Sequence, residues 1–325
     1  MSTTWLTPHP EIKVLDCTIR DGGLVNDHLF GDRFVRAVYD CCVAAHIDCM
    51  EIGYKNSDKI FSPAKNGPWK FCHEEDLRRV VGDNNTPLKL SCMADAGKSN
   101  WKEDILPKKD SVLDVIRVAF YHYQLDEALD MIRDAKEKGY EVWGNMMAVT
   151  DTKEEDIDRC LAGLAESPAD TIAIVDSYGT LLPEWTAYLT KKYVSFATPA
   201  GKTVGIHAHN NQQLAFANSI EAVRNGAMTV DASLGGLGRG AGNCPMELLL
   251  GFLKNPKLDI RPVFECLEKH FHILQNQMEW GPFPEFMITG QANKHPRAAI
   301  GAREGIQRGN YTEFYDSIFG EKSNG

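Results

Sequence analysis

Short apolar runs alternate with amphipathic stretches along almost the whole chain. The apolar runs fall at residues 12–17, 47–53, 88–93, 113–119, 140–147, 171–176, 203–208 and 227–232. Their near-continuous hydrophobicity predicts strands buried on both faces, the condition of a parallel sheet covered by helices. Periodic segments at 32–46, 74–82, 124–138, 153–166, 183–198, 211–225 and 243–254 predict the helices between them. Asp126–Lys136 is a clear amphipathic example, and Gly139 supplies its stop. Strand starts spaced 24 to 41 residues apart predict an α/β fold, a (β/α)8 TIM barrel. The rival architecture, a doubly wound open sheet, wants Gly-x-Gly-x-x-Gly after the first strand, and Asp21-Gly22-Gly23 is not that turn. After residue 260 the pattern turns helical, with an aromatic and proline-rich piece at 280–286. The expected organisation is a catalytic barrel over 1–260 and a short C-terminal helical extension over 261–325, packed on the barrel.

Bulk properties narrow the partners. The chain has 325 residues, 43% of them hydrophobic, enough for one large core. Its 45 acidic and 35 basic residues give a net charge of −10, which argues against nucleic acid or an anionic membrane surface as partner. No apolar run approaches the roughly 18 residues that a membrane span needs. Met1–Leu6 lacks a basic region followed by an apolar core, so no secretory signal is expected. Nine cysteines without a Cys-x-x-Cys spacing, with Cys17, Cys49 and Cys92 in strand-like runs, fit buried thiols in a reducing cytoplasm.

In a barrel of this kind the loops after the strands build the active site, so polar residues at strand ends are the suspects. These are Arg20 and Asp21 after strand 1, Glu51 in strand 2, Tyr121 and His122 after strand 4, and Asp176 and Ser177 after strand 6. His207 and His209 end strand 7, two residues apart and so on the same side of it. Two imidazoles and a carboxylate from different strands make a divalent-metal site with open positions. Mn²⁺ and Mg²⁺ suit that ligand set best, while Co²⁺ and Zn²⁺ are chemically admissible. Arg20, beside Asp21, could hold negative charge developing on a substrate oxygen or could form a structural ion pair with Glu51 or Asp176.

The stretch Leu15-Asp16-Cys17-Thr18-Ile19-Arg20-Asp21-Gly22-Gly23 resembles the first-strand signature of the DRE-TIM metallolyases, relatives of hydroxymethylglutaryl-CoA lyase. His207-Ala208-His209-Asn210-Asn211, Ala217-Asn218-Ser219 and the run 231–243 (DASLGGLGRGAGN) are most similar to its 4-hydroxy-2-oxovalerate aldolase branch. The resemblance spans roughly residues 12–255. It implies that Asp21, His207 and His209 are metal ligands, with Asn243 where some members use a further ligand. It implies that Arg20 stabilises an enolate, that Ser177 contacts pyruvate, and that Glu51 matches a glutamate near the metal in the acyl-CoA branches. One position departs. The aldolase branch places a general-base histidine four residues after the arginine, and Leu24 stands there; His28, four residues further on, substitutes only if the loop differs. Residues 54–72 also differ, and carry Lys55, Lys65 and Lys70, which could bind an anionic substrate or could be solvated lysines.

The expectation is therefore a metal-dependent carbon–carbon lyase acting through a stabilised enolate of pyruvate or a related 2-keto acid. Tyr54, Tyr121 and His122 join His28 as candidates for the base. The alternatives are an acyl-CoA-dependent condensing enzyme or lyase, and a non-catalytic barrel that binds metal and keto acid. His295, in the segment 292–299, either reaches over the barrel mouth as a substrate contact or packs beneath it. A homodimer is implied by the resemblance, and the short tail argues against a channelling aldehyde dehydrogenase partner.

Overall fold

The computed structural model describes residues 8–305 and 308–320, so the N-terminal segment Met1–Leu6 lies outside the described residues. Eight parallel strands close into a barrel in sequence order: β1 Lys13–Asp16, β2 Cys49–Tyr54, β3 Lys89–Asp95, β4 Val115–Phe120, β5 Glu141–Met146, β6 Thr171–Asp176, β7 Thr203–Ala208 and β8 Thr229–Ala232. The ring shuts where Lys13 to Asp16 pair with Thr229 to Ala232. β2, β4 and β6 are buried at every position, which is why their hydrophobicity runs on without alternating.

Helices such as Asp32–Ala44, Leu125–Glu137, Glu154–Glu166 and Pro183–Ala197 cover the outside of the ring. Their inward faces and the outward faces of the strands share one apolar core. Inside the barrel, Leu15, Cys17, Cys49, Val115 and Trp143 form a second, smaller cluster. All nine cysteines are unpaired and buried.

Among the elements shorter than their apolar pattern, two are cut back at the C-terminal mouth by side-chain hydrogen bonds. The first strand stops at Asp16, because Thr18 donates its backbone N–H to the Asp16 carboxylate at 3.2 Å and the chain turns at once into the helix Thr18–Gly22. The expected helix 211–225 starts only at Ala215, whose N–H is met by Asn210 Oδ1 at 3.1 Å.

Beyond β8 the chain is helical, as its periodicity suggested. Three helices, Pro284–Gln291, Arg297–Glu304 and Tyr311–Phe319, gather Phe286, Ile288, Ala299, Ala302 and Phe314 into a core of their own, joined by Ala241 from the loop after β8. This unit is fastened to the C-terminal mouth. Thr180 Oγ1 donates to Gly290 O at 2.8 Å, Asn293 Nδ2 to Thr150 O at 2.8 Å, and Asn211 Nδ2 to Phe286 O at 3.3 Å. Among the described residues no helix is long and apolar enough to cross a membrane.

Candidate active site

Asp21, His207 and His209 converge at the mouth, each buried, with one ligand atom apiece lying within 4.8 Å of the others. Asp21 rides on the helix that follows β1, and the two histidines come from the end of β7 and the residue after it. Three observations fit this trio to a divalent cation. His207 Nδ1 faces the Asp231 carboxylate at 3.0 Å, which fixes the ring and leaves its buried Nε2 with no partner. Asn243 donates Nδ2 to Asp21 Oδ2 at 2.9 Å and keeps a buried, unpartnered Oδ1. A Cβ on Gly238 would come within 2.6 Å of Asp21 Oδ2 and 2.3 Å of Asn243 Nδ2, so the loop after β8 needs glycine to close on this cluster.

Charge is arranged to keep the ligands in binding form. Burial opposes ionisation of Asp21, but Arg20, His209, His207 and Arg239 outweigh it and hold the carboxyl well below the usual carboxylate range. Burial likewise keeps the His209 imidazole neutral, far below its ordinary pKa. A chain of buried ion pairs then runs through the barrel interior. Arg20 reaches Asp21 and Glu51, both at 2.6 Å; Arg117 reaches Glu51 at 2.9 Å and Asp231 at 2.6 Å; Asp231 holds His207. Asp21 and His207 are thus the two ends of a single line of fixed charges.

The expected pairing of Arg20 with Glu51 therefore occurs, while Asp176 is used differently, accepting the N–H groups of Thr180 and Leu181 at 3.0 and 3.2 Å. Arg20 nevertheless keeps one buried terminal nitrogen, Nη2, without a partner. Glu51 does not line the cavity that contains the trio.

That cavity, about 60 Å³, is bounded by Arg20, Asp21, His207 and His209 on one side and by Tyr54, Tyr121, Asn145, Ser177, Arg239 and His295 on the others. Apolar walls come from Leu24, Met93, Ala119, Met147 and Val175. Ser177 Oγ accepts the Ala148 N–H at 2.8 Å, which leaves its own proton available. His295 meets Tyr178 edge-on at 5.7 Å, so the C-terminal segment roofs the mouth and does not pack beneath the barrel.

Two sequence candidates fall elsewhere. The His122 side chain faces Asp156 at 3.5 Å on the helix Glu154–Glu166 and is not part of the cavity wall, so its proposed substrate contact is corrected. Its position in a one-turn helix after β4 swings it outward while neighbouring Tyr121 stays at the wall. His28 lies just behind the wall, edge-on to Tyr54 at 5.3 Å, with a left-handed backbone (φ 61°) and neither ring nitrogen partnered. Two residues were missed. Arg239 binds Asp21 Oδ2 through its backbone N–H at 3.1 Å and Ser177 O through its guanidinium at 2.7 Å, yet in sequence it is one arginine within a glycine run. Asn145 is buried with both amide atoms unpartnered; an amide in the middle of an apolar strand was its only signal.

The His28 ring gives a pH prediction. Burial, then the nearby Lys70 and Arg20 charges, push its pKa down to about 3, against 6.5 when unfolded. Between these values the unfolded chain binds the extra proton, so stability is full above pH 6.5 and falls as pH drops below it. Between pH 7 and pH 5 this one group should remove about 2 kcal/mol, at roughly 1.4 kcal/mol per pH unit. Urea midpoints of wild type and His28→Leu at both pH values measure it; equal losses in the two proteins would refute the assignment.

A buried Asp-His-His cluster at the mouth of a parallel barrel, beside a guanidinium with one unpartnered nitrogen, fits a metal-dependent lyase site. The sequence comparisons agree. The HMGL-like family model matches residues 118–266. The 4-hydroxy-2-oxovalerate aldolase of Thermus thermophilus is 30% identical over 289 residues, covering 88% of this chain and 81% of the relative. The enzyme of that name from Geobacillus genomosp. 3 is 27% identical, covering 84% of this chain and 79% of its own. The N-terminal domain of a putative aldolase from Bacteroides vulgatus superposes with a TM-score of 0.77 at 27% identity, covering 89% of this chain and 95% of that one. The carboxyl transferase domain of Rhizobium etli pyruvate carboxylase shares the fold, with a TM-score of 0.73 at 16% identity, covering 96% of this chain and 58% of that one. The chain belongs to the HMGL-like, or DRE-TIM metallolyase, family, near its 4-hydroxy-2-oxovalerate aldolase branch, and is a carbon–carbon lyase.

Proposed function

We propose that the protein cleaves, and in reverse forms, the C3–C4 bond of a 4-hydroxy-2-keto acid, giving pyruvate and an aldehyde. The observation that carries this is the unpartnered Arg20 Nη2 in the cavity that also contains Asp21, His207 and His209. These three residues would hold the ion, with Asn243 Oδ1 as a further oxygen donor, and the carboxylate and amide oxygens favour Mn²⁺ or Mg²⁺. When bound, the ion supplies Lewis-acid charge to the keto acid's oxygens.

The chain's own groups do the rest. Arg20 Nη2 donates to the oxygen on which negative charge grows as the bond breaks. Ser177 donates its hydroxyl proton to the substrate carboxylate, and Arg239 holds Ser177 in place through its carbonyl. Glu51 and Arg117 act through Arg20 as positioning residues. Cleavage needs a base for the C4 hydroxyl, and Leu24 cannot serve. We assign that proton to His295, whose ring stands in the cavity wall; its Nδ1 accepts the Arg297 N–H at 3.0 Å, so it takes the C4 proton there by giving up that backbone contact. The electrons of the broken bond pass to C3, which takes up a proton to give pyruvate.

We retain the homodimer and the cytoplasmic setting as part of this reading; sedimentation of the purified chain reads the former. The test of function is a screen of 4-hydroxy-2-keto acids for pyruvate release with Mn²⁺ or Mg²⁺ present. Release that stops on addition of a chelator is expected. Turnover only with an acyl-CoA substrate would move the assignment to the condensing branch of the family, and turnover with neither would leave a binding barrel.

A further inference from the structure

The loop 55–72 carries four lysines over one side of the mouth, and the structure separates their roles; Lys59 reaches Glu103 at 3.4 Å. Lys65 is exposed, and Lys55 is buried with its ammonium donating to Cys72 O at 2.7 Å. Lys70 is different. It is more than nine-tenths buried, at 8% exposure, and its Nζ lies 4.8 Å from the centre of the Tyr54 ring and 4.3 Å from that of Phe61. Among the described residues no carboxylate lies within 4 Å of that ammonium. The neighbouring carboxylate that acts on it most, Asp95, is already engaged by Lys98 at 3.3 Å.

An ammonium largely enclosed by side chains, with no carboxylate beside it, is poorly compensated, and two aromatic faces return only part of the lost hydration. Such a charge is retained where something anionic arrives to meet it. The backbone holds it there firmly: a Cβ on Gly53 would come 2.1 Å from Trp69 O, so the loop rests directly on β2, and Trp69 Nε1 donates to Phe30 O at 2.8 Å.

Tyr54 joins Lys70 to the catalytic cavity. Its ring is a wall of that cavity, and Arg20 Cζ lies 5.8 Å from the centre of the same ring that Lys70 flanks. Lys70 is not among the residues lining that cavity, so a substrate held by its keto-acid end beside Arg20 meets it by extending past the Tyr54 ring. The surroundings repeat the sign: Lys98, Arg239 and Arg297 all act on His295 at the mouth, in a chain whose net charge is −10.

We propose that Lys70 recognises a negatively charged group on the aldehyde half of the substrate, so that the protein prefers acceptors carrying a terminal carboxylate or phosphate over neutral ones. This rests on the aldolase reading and adds the substrate class to it. Leu24, Met93 and Met147 would then line the apolar stretch between the two charged ends.

The test measures pyruvate release with Mn²⁺ from 4-hydroxy-2-oxopentanoate, whose aldehyde is neutral, and from 4-hydroxy-2-oxoheptanedioate and a terminally phosphorylated 4-hydroxy-2-keto acid. Wild type should favour at least one anionic substrate in kcat/KM. Lys70→Met should lower kcat/KM for that substrate by about 30-fold or more, chiefly through KM, while changing the neutral substrate by less than about 3-fold; Lys70→Arg should recover part of the loss. Equal losses on both kinds of substrate would make Lys70 a packing residue and overturn the proposal, as would a wild type that prefers the neutral one, and either result leaves the aldolase reading standing. No pyruvate from any of them would bring down both.

Discussion

His207→Ala is expected to lose tightly bound Mn²⁺ and to lower pyruvate release by at least about 10³-fold, while remaining folded. The imidazole contributes the Nε2 that has no protein partner, so its removal takes a ligand from the ion and nothing from the packing of the ring of strands. Asp231, which orients it, stays paired with Arg117 at 2.6 Å, so no buried charge is stranded. Metal analysis after dialysis, beside a melting curve, separates the two effects. A variant that still binds one equivalent of metal and turns over like wild type would remove His207 from the site.

Arg117→Met should produce the opposite pattern, a large loss of stability. Arg117 is fully buried, lies 5.0 Å from the centre of the Trp143 ring, and neutralises Glu51 and Asp231 together. Removing it leaves both carboxylates short of a partner, at a cost of roughly 3–5 kcal/mol. Metal affinity should also fall, by about 10- to 100-fold, because the Asp231 carboxylate that orients His207 loses its anchor. In Arg117→Met/Asp231→Asn the stability should partly return while the affinity does not. Denaturant midpoints and metal titrations report these quantities. Undiminished stability in the single variant would mean that the internal charge chain is not needed to balance the barrel.

Much of the fold was legible because the strands are buried on both faces. Each apolar run survived as a strand within two residues at each end, the second and fourth each beginning two residues later and ending one residue further on than predicted. Pattern failed where local hydrogen bonding decides, as at Asp16, where a side chain captures the next N–H and turns the chain. The trio Asp21, His207 and His209 was readable because strand alternation fixes sidedness and barrel closure brings distant strand ends together. His122 was not, since the direction of a side chain in a one-turn helix depends on what packs beside it. Arg239 and Asn145 were missed because neither belongs to a spacing rule; each matters only through neighbours more than 50 residues away, or through having none. The vacancy at Leu24 could be seen in the letters alone, while the letters left open whether His295 stands over the mouth or beneath the barrel, because it reaches the cavity through a tertiary contact.

The three late helices fastened to Thr150, Thr180 and Asn211 have a consequence for synthesis. Every strand is complete by Ala232, so the cylinder can assemble, and its cation donors can meet, before His295 has been made. A nascent or clipped chain of that kind would be able to sequester metal yet be slow to turn over, its chamber open to water.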